Sequence, residues 1–363
     1  MEERNNFSVQ LKPVGSNCNL RCKYCYARPY LVRGERMSKD ILEKVIRKLL
    51  RYSFYPSISW HGGEPTLAGY DFFRYAMDLI EKYRRPGQKV RNLIQTNGTL
   101  ISPQLAELFS KYDFGVSISL DGPEYVNGIN RITISGENSF NQIIEGIKIL
   151  REQGVDPSVI CTVSRDTLPF AKETFDFLVL QGFKRIKYGP VFDSAKDRFS
   201  VSNDEWFNYL KTVLYRWFDM SNPDIQVREI DEAITWFSRE SLKLCSCDRT
   251  CLQWVSVNPK GELYPCEYLR KSYYYGNINN IEFSEIPLSD GYREFSNIYK
   301  RVPLKCQSCK FFKVCGNGCP ATRVKNGKMS LNGIYAFCDQ RTRLFRETSN
   351  LFEETLEGEN RNE

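Results

Sequence analysis

The sequence predicts an α/β chain: an open, partial (β/α)6 barrel followed by a smaller cysteine-rich domain. Three observations carry this reading. Through the first two thirds of the chain, short β-like runs alternate with longer amphipathic stretches, the pattern of βα units around a parallel sheet. Six such runs are present, too few to close an eight-stranded barrel. Beyond them, nine cysteines fall within residues 244–338 among short apolar runs, where metal ligation replaces part of a hydrophobic core.

The six strands are read at residues 7–14, 57–60, 91–96, 114–120, 158–163 and 185–189. Helices fall between them. After Ser38, an N-cap residue, Ile41, Leu42, Val45, Ile46, Leu49 and Leu50 recur on one helical face. Ser102 followed by Pro103 is a second helix start, and Phe140, Ile143, Ile144, Ile147 and Leu150 mark a third apolar face. After Asp219, helical periodicity largely stops until the last thirty residues. The barrel is therefore placed over residues 1–220, a linker region over 221–243, and the cysteine-rich domain with its C-terminal helix over 244–363. A length of 363 residues suits one elaborated domain and one smaller one.

With 41% hydrophobic and 26% charged residues, the chain has the composition of a folded globular protein. The excess of 51 Lys and Arg over 44 Asp and Glu suggests an acidic partner. Against this stand 13 cysteines and one histidine, His61, a balance that points to thiolate ligation. Thiolates would absorb much of the positive charge, and no basic run with interleaved aromatics supports nucleic-acid binding. The opening MEERNNFSVQLKPVG lacks an apolar stretch, and no later segment approaches the eighteen apolar residues of a membrane span. The expectation is a cytoplasmic protein without membrane contact. In a reducing compartment, clustered cysteines read as metal-binding or catalytic and not as disulfides.

Cys18, Cys22 and Cys25 lie in CNLRCKYC, just after the first strand. Three cysteines on a four-iron cluster leave one iron open to an outside ligand; the alternative is an incomplete zinc site, which would want a nearby histidine. A second group reads Cys251, then Gly261, then Cys266, followed by Cys306-x2-Cys309-x5-Cys315-x3-Cys319 and Cys338. Taken alone, Cys306-x2-Cys309 would suit a zinc ribbon. Three further segments follow strands in order: Gly62-Gly63-Glu64-Pro65, Gln95-Thr96-Asn97-Gly98 and Ser119-Leu120-Asp121-Gly122-Pro123. Each alone reads as a turn after a strand.

Together with Tyr24 before the third cysteine, these segments resemble radical S-adenosylmethionine (SAM) enzymes. The C-terminal cysteines resemble the SPASM extension of peptide and protein maturases, in the branch of the anaerobic sulfatase-maturating enzymes. The resemblance implies a [4Fe-4S] cluster on Cys18, Cys22 and Cys25 with SAM on its open iron. It implies SAM contacts from Gly63, Ser119 and Arg131, with Tyr24, Gly62, Glu64, Pro65, Asn97 and Asp121 in the same cofactor-binding segments, and Phe192 against adenine. The glycines are expected to let the backbone approach the methionyl group. Two auxiliary [4Fe-4S] clusters are implied, one on Cys245, Cys251, Cys266 and Cys319, the other on Cys306, Cys309, Cys315 and Cys338. Cys247 is an alternative to Cys245, and Cys161 reads as a small core residue.

The same resemblance implies reductive SAM cleavage to a 5′-deoxyadenosyl radical, hydrogen abstraction from a side chain, and net oxidation of the formylglycine type. Glu267 stands at the position of the branch's catalytic Asp and is the expected base; His61 stands where the branch usually carries Gln. The alternative within the enzyme class is carbon-centred crosslinking, cyclophane or thioether, of a ribosomally synthesised peptide (a RiPP precursor). The alternative of another class is an iron-sulfur or zinc protein without SAM chemistry. The implied partners are a sulfatase or RiPP precursor and an electron donor such as ferredoxin or flavodoxin. Tyr273, Tyr274 and Tyr275, with residues 276–278, suit either a peptide channel or packing.

Overall fold

The structure, a computed structural model, describes residues 6–28, 31–192, 198–238, 250–269, 272–326 and 328–360. Its contacts form two compact units. The first comprises Met1–Leu120, Asn130–Ser158 and Cys251–Ile298; the second comprises Asp121–Ile129, Val159–Thr250 and Tyr299–Glu363.

In the first unit, β1 (Ser8–Leu11), β2 (Ser57–Trp60), β3 (Arg91–Thr96) and β4 (Gly115–Ser119) pair in parallel in that order. Such pairing requires crossovers, supplied by α1 (Lys39–Tyr52), α2 (Tyr70–Tyr83) and α3 (Pro103–Lys111). Ser38 caps α1 by accepting from the Ile41 amide, and Ser102 caps α3 by accepting from Leu105. The apolar face of α1 is buried from Ile41 to Leu50. A further helix, α5 (Phe140–Glu152), buries Ile143, Ile147 and Leu150.

The cysteine-rich extension begins inside this sheet. Strand β8 (Trp254–Val257) pairs in parallel with β1, from Ser8↔Trp254 to Leu11↔Val257. Strand β9 (Glu262–Tyr264) returns antiparallel to β8, and β10 (Gly276–Asn277) pairs with β9. Gly261 makes the β8–β9 turn at φ +79°, donating to the Asn258 carbonyl. The glycine between Cys251 and Cys266 is thus a hairpin residue. Helix α9 (Asp290–Lys300) follows. Tyr273 packs on Phe295 and Tyr275 on Tyr292, both buried, while Tyr274 is exposed; packing accounts for Tyr273 and Tyr275.

In the second unit, β5 (Ser158–Val163), β6 (Arg185–Pro190) and β7 (Gln226–Val227) pair in parallel. Its helices are α4 (Glu124–Asn130), α6 (Ala171–Leu180), α7 (Asn203–Met220) and α8 (Arg228–Ser238), with α12 (Cys338–Asn360) packed along α7 and α8. The short helices α10 (Leu304–Gln307) and α11 (Phe312–Cys315) and a small sheet of β11 (Arg323–Lys325), β12 (Lys328–Met329) and β13 (Ile334–Tyr335) complete it. The stretch read as a linker therefore holds β7 and α8. Cys161 is buried in β5, as a core residue should be. Among the described residues, no helix is long and apolar enough to cross a membrane.

Candidate functional site

The loop after β1 carries the first three cysteines, and a returning segment fixes it. The Arg21 amide donates to the Ile132 carbonyl at 2.7 Å and Lys23 to Asn130 at 3.0 Å, with a bridge between Leu20 and Thr133. This pairing lays Arg131 against the cysteines. Its Nη1 donates to Cys22 Sγ at 3.9 Å, and its guanidinium lies 5.7 Å from the centre of the Tyr24 ring. Cys18 Sγ accepts from the Leu20 amide at 3.4 Å and from Asn97 Nδ2 at 3.7 Å. Burial pushes the Cys18 thiol up to about 12, with Glu64, Cys22 and Cys25 adding to the shift. As thiolates, the three would need a compensating cation.

Gly62 and Gly63 pack on that loop. The Gly63 amide donates to Gly15 O at 2.8 Å and Glu64 to Asn17 O at 2.7 Å. A Cβ on Gly63 would lie 1.9 Å from the Asn17 carbonyl oxygen, and Gly62, at φ +124°, would meet Gly15 O at 2.5 Å. These glycines let the segment approach the cysteine loop's own backbone. Glu64 is fully enclosed. Its Oε1 accepts from Thr66 N, Thr66 Oγ1 and Thr96 Oγ1, and its Oε2 from Asn97 N at 2.6 Å. Burial raises its pKa and these bonds oppose the rise. Glu64 thus ties two strand-end loops together, while buried Pro65 opens the turn Pro65–Ala68. Ser119, at the end of β4, accepts from Gln95 Nε2 at 3.1 Å. His61 Nδ1 accepts from the Gly62 amide at 2.8 Å.

Beside this loop, the β8–β9 hairpin delivers Cys266 and Glu267. Glu267 opens the turn Glu267–Leu269 and forms a buried ion pair with Lys12, the residue after β1. A cavity of about 160 Å³ adjoins the pair, lined also by Glu35, Asn258, Glu262 and Tyr264. Tyr26 stacks on Tyr268 with ring centres 4.5 Å apart. Burial, then Glu267, Cys25 and Cys266, all push the Tyr26 phenol up, so that it feels both cysteine groups. Cys251 stands just before β8, in the turn Thr250–Gln253.

In the second unit, Asp121 Oδ1 accepts from the Thr162 amide at 2.9 Å, and its carbonyl accepts from Cys161 Sγ at 3.5 Å. Asp121 therefore pins the chain to β5. Phe192 packs edge-on against Phe337, 5.4 Å between centres. Cys306, Cys309, Cys315 and Cys338 lie within mutual electrostatic reach: burial pushes the Cys306 thiol up to about 11, and the other three add to it. Cys319 caps the turn Pro320–Thr322. Cys245 and Cys247 lie outside the described residues. Among the described residues, no three His, Cys, Asp or Glu side chains converge closely enough to hold a single metal ion.

Residues 13–177 match the Radical SAM superfamily, and residues 245–310 match SPASM, an iron-sulfur cluster-binding domain. The chain joins a radical SAM domain to a SPASM domain. Over 352 residues it is 26% identical to a cysteine-type anaerobic sulfatase-maturating enzyme of Clostridium perfringens, covering 93% of this chain and 95% of that one. It is 28% identical over 355 residues to a serine-type anaerobic sulfatase-maturating enzyme of Bacteroides thetaiotaomicron, covering 89% and 86%. The solved structure of native anSMEcpe with bound AdoMet and Kp18Cys peptide matches with a TM-score of 0.87 at 27% identity, over 98% of this chain and 99% of that chain. The α/β fold with a barrel-like parallel sheet and a cluster-binding extension is the one the sequence predicts.

The donor sets fit iron-sulfur clusters. Cys18, Cys22 and Cys25 share one loop, with Arg131 and Asn97 donating to Cys22 and Cys18, and in the second unit Cys309, Cys315 and Cys338 all raise the Cys306 thiol. Motif reading misses Lys12, Tyr26 and Tyr268. For Lys12 one signal was available: a charged residue at the end of an otherwise buried strand. The tyrosines carry none.

Proposed function

We propose that this radical SAM/SPASM chain is a peptide or protein side-chain oxidase of the sulfatase-maturating kind, converting a Cys or Ser residue to formylglycine. The observation that supports this most is the buried Lys12–Glu267 pair, a carboxylate held next to Cys266 where a net oxidation needs a base. Cys18, Cys22 and Cys25 would hold the cluster that binds SAM. Cys245, Cys251, Cys266 and Cys319 would hold one auxiliary cluster, and Cys306, Cys309, Cys315 and Cys338 the other. When bound, these groups supply the one-electron chemistry: a 5′-deoxyadenosyl radical that removes a hydrogen atom, and an outlet for the second electron.

The remaining work falls to the chain's own side chains. Glu267 takes the proton that leaves the target side chain, and Lys12 fixes the carboxylate in position. Arg131 and Asn97 orient Cys22 and Cys18, and Glu64 holds the two loops in register. Ferredoxin or flavodoxin is the proposed electron donor. Mass spectrometry of Cys- and Ser-containing sulfatase peptides, incubated with anaerobically reconstituted protein, SAM and a strong reductant, tests the proposal. Conversion to formylglycine is expected. Deoxyadenosine release with an internally crosslinked precursor peptide as the only modified product would replace it with the cyclase reading.

A further inference from the structure

We propose that Arg341 tunes the auxiliary cluster at Cys306, Cys309, Cys315 and Cys338, raising its reduction potential. This rests on the functional reading above for the cluster's presence and adds the residue that sets its potential.

Arg341 lies in the first turn of α12, three residues after Cys338. Its Nη1 donates to Cys315 Sγ at 3.7 Å, and its guanidinium lies over the Tyr335 ring at 4.5 Å. Its Nη2 lies 3.3 Å from Glu232 Oε2, a carboxylate on α8 that Arg228 Nε also meets at 3.5 Å. Arg341 is 8% exposed and Glu232 5%. Glu232 thus faces two guanidiniums, with the carboxyls of Glu229 and Asp231 also acting on it, and Arg341, itself buried, sets one N–H edge on a ligand sulfur. A cluster held by four thiolates becomes more negative on reduction. Hydrogen bonds to its sulfurs and nearby positive charge stabilise that state and raise the potential, the more so where water screens little. A clamp joining α12 to α8 needs the Glu232 contact alone; the contact to sulfur is what points to tuning.

The test is an EPR-monitored redox titration of the full-length, anaerobically reconstituted chain. In Arg341→Gln, one auxiliary signal should become about tenfold harder to reduce, a downward shift of about 59 mV for one electron. Arg341→Lys, which keeps the charge, should recover most of that shift. Glu232→Gln, which removes the opposing charge and keeps the donor, should move the same signal upward. An unchanged potential in Arg341→Gln, an equal fall in both Arg341 variants, or a fall in Glu232→Gln overturns the proposal. Iron content tests the premise separately: Cys315→Ala should lose iron, and full iron retention there would overturn the ligand assignment itself.

Discussion

Lys12 and Glu267 stand 255 positions apart in sequence and meet as a buried ion pair, one at the end of β1, the other directly after Cys266. Their meeting follows from the parallel pairing of β8 with β1, which threads the start of the SPASM extension into the radical SAM domain's sheet. Removing one member of a buried pair leaves the other uncompensated, at a cost of about 3–5 kcal/mol. Lys12→Met should lose that much stability in anaerobic urea unfolding. It should also lower peptide oxidation at least tenfold more than SAM cleavage, because the carboxylate loses its position and not its cofactor. Lys12→Arg should fall between the two. Equal losses of both activities in Lys12→Met would remove Lys12 from the oxidation step.

Gly63→Ala should disable the SAM-binding cluster selectively. Its new Cβ would fall 1.9 Å from the Asn17 carbonyl, one residue before Cys18, so the cysteine loop must move. Iron analysis should show loss of about one cluster's iron with the auxiliary iron retained, and SAM cleavage should fall at least tenfold. Normal iron content with normal cleavage would show that the loop tolerates the shift.

Cys22→Ala should abolish SAM cleavage while the auxiliary EPR signals persist, since three thiolates are the minimum that leaves one iron open. Surviving cleavage would place the SAM-binding cluster elsewhere.

Much of the site was legible because its chemistry is local. The strands over 57–60, 91–96 and 158–163 appear with the bounds that alternation predicts. Cys18, Cys22 and Cys25 sit within the one loop after β1, and each strand-end motif follows a single strand. Two features had no local signal. The docking of β8 on β1 joins segments some 250 residues apart, and nothing in either segment names its partner. Helix α8 escaped because its buried face carries Glu232 and Thr235 beside Ile230 and Ala233, which breaks the apolar period. Glu64 shows a different limit. Its motif marks the segment, but only the structure shows that its carboxylate accepts from Thr66, Thr96 and Asn97.

Glu229, on α8, gives the fold a pH dependence. Burial, with neighbouring Glu232, raises its pKa from 4.5 to about 7, against the opposing Tyr188 amide, Arg228 and Lys187. Between those values the folded chain holds a proton that the unfolded chain releases, so stability is lost as pH rises through the window. Urea midpoints should fall between pH 5 and pH 7.5. Glu229→Gln should lessen the slope there, the remainder belonging to Asp231, which burial and Glu232 raise to about 6; a wild-type slope in that variant would remove Glu229 from the effect.

Whether Glu267 is the base of a maturase is decided by mass spectrometry of a Cys-type sulfatase peptide with wild type and Glu267→Gln side by side, counting deoxyadenosine in the same samples. Formylglycine is expected in the wild type and, in Glu267→Gln, continued SAM cleavage with formylglycine reduced at least tenfold. Equal formylglycine yields per SAM cleaved in the two proteins would contradict it.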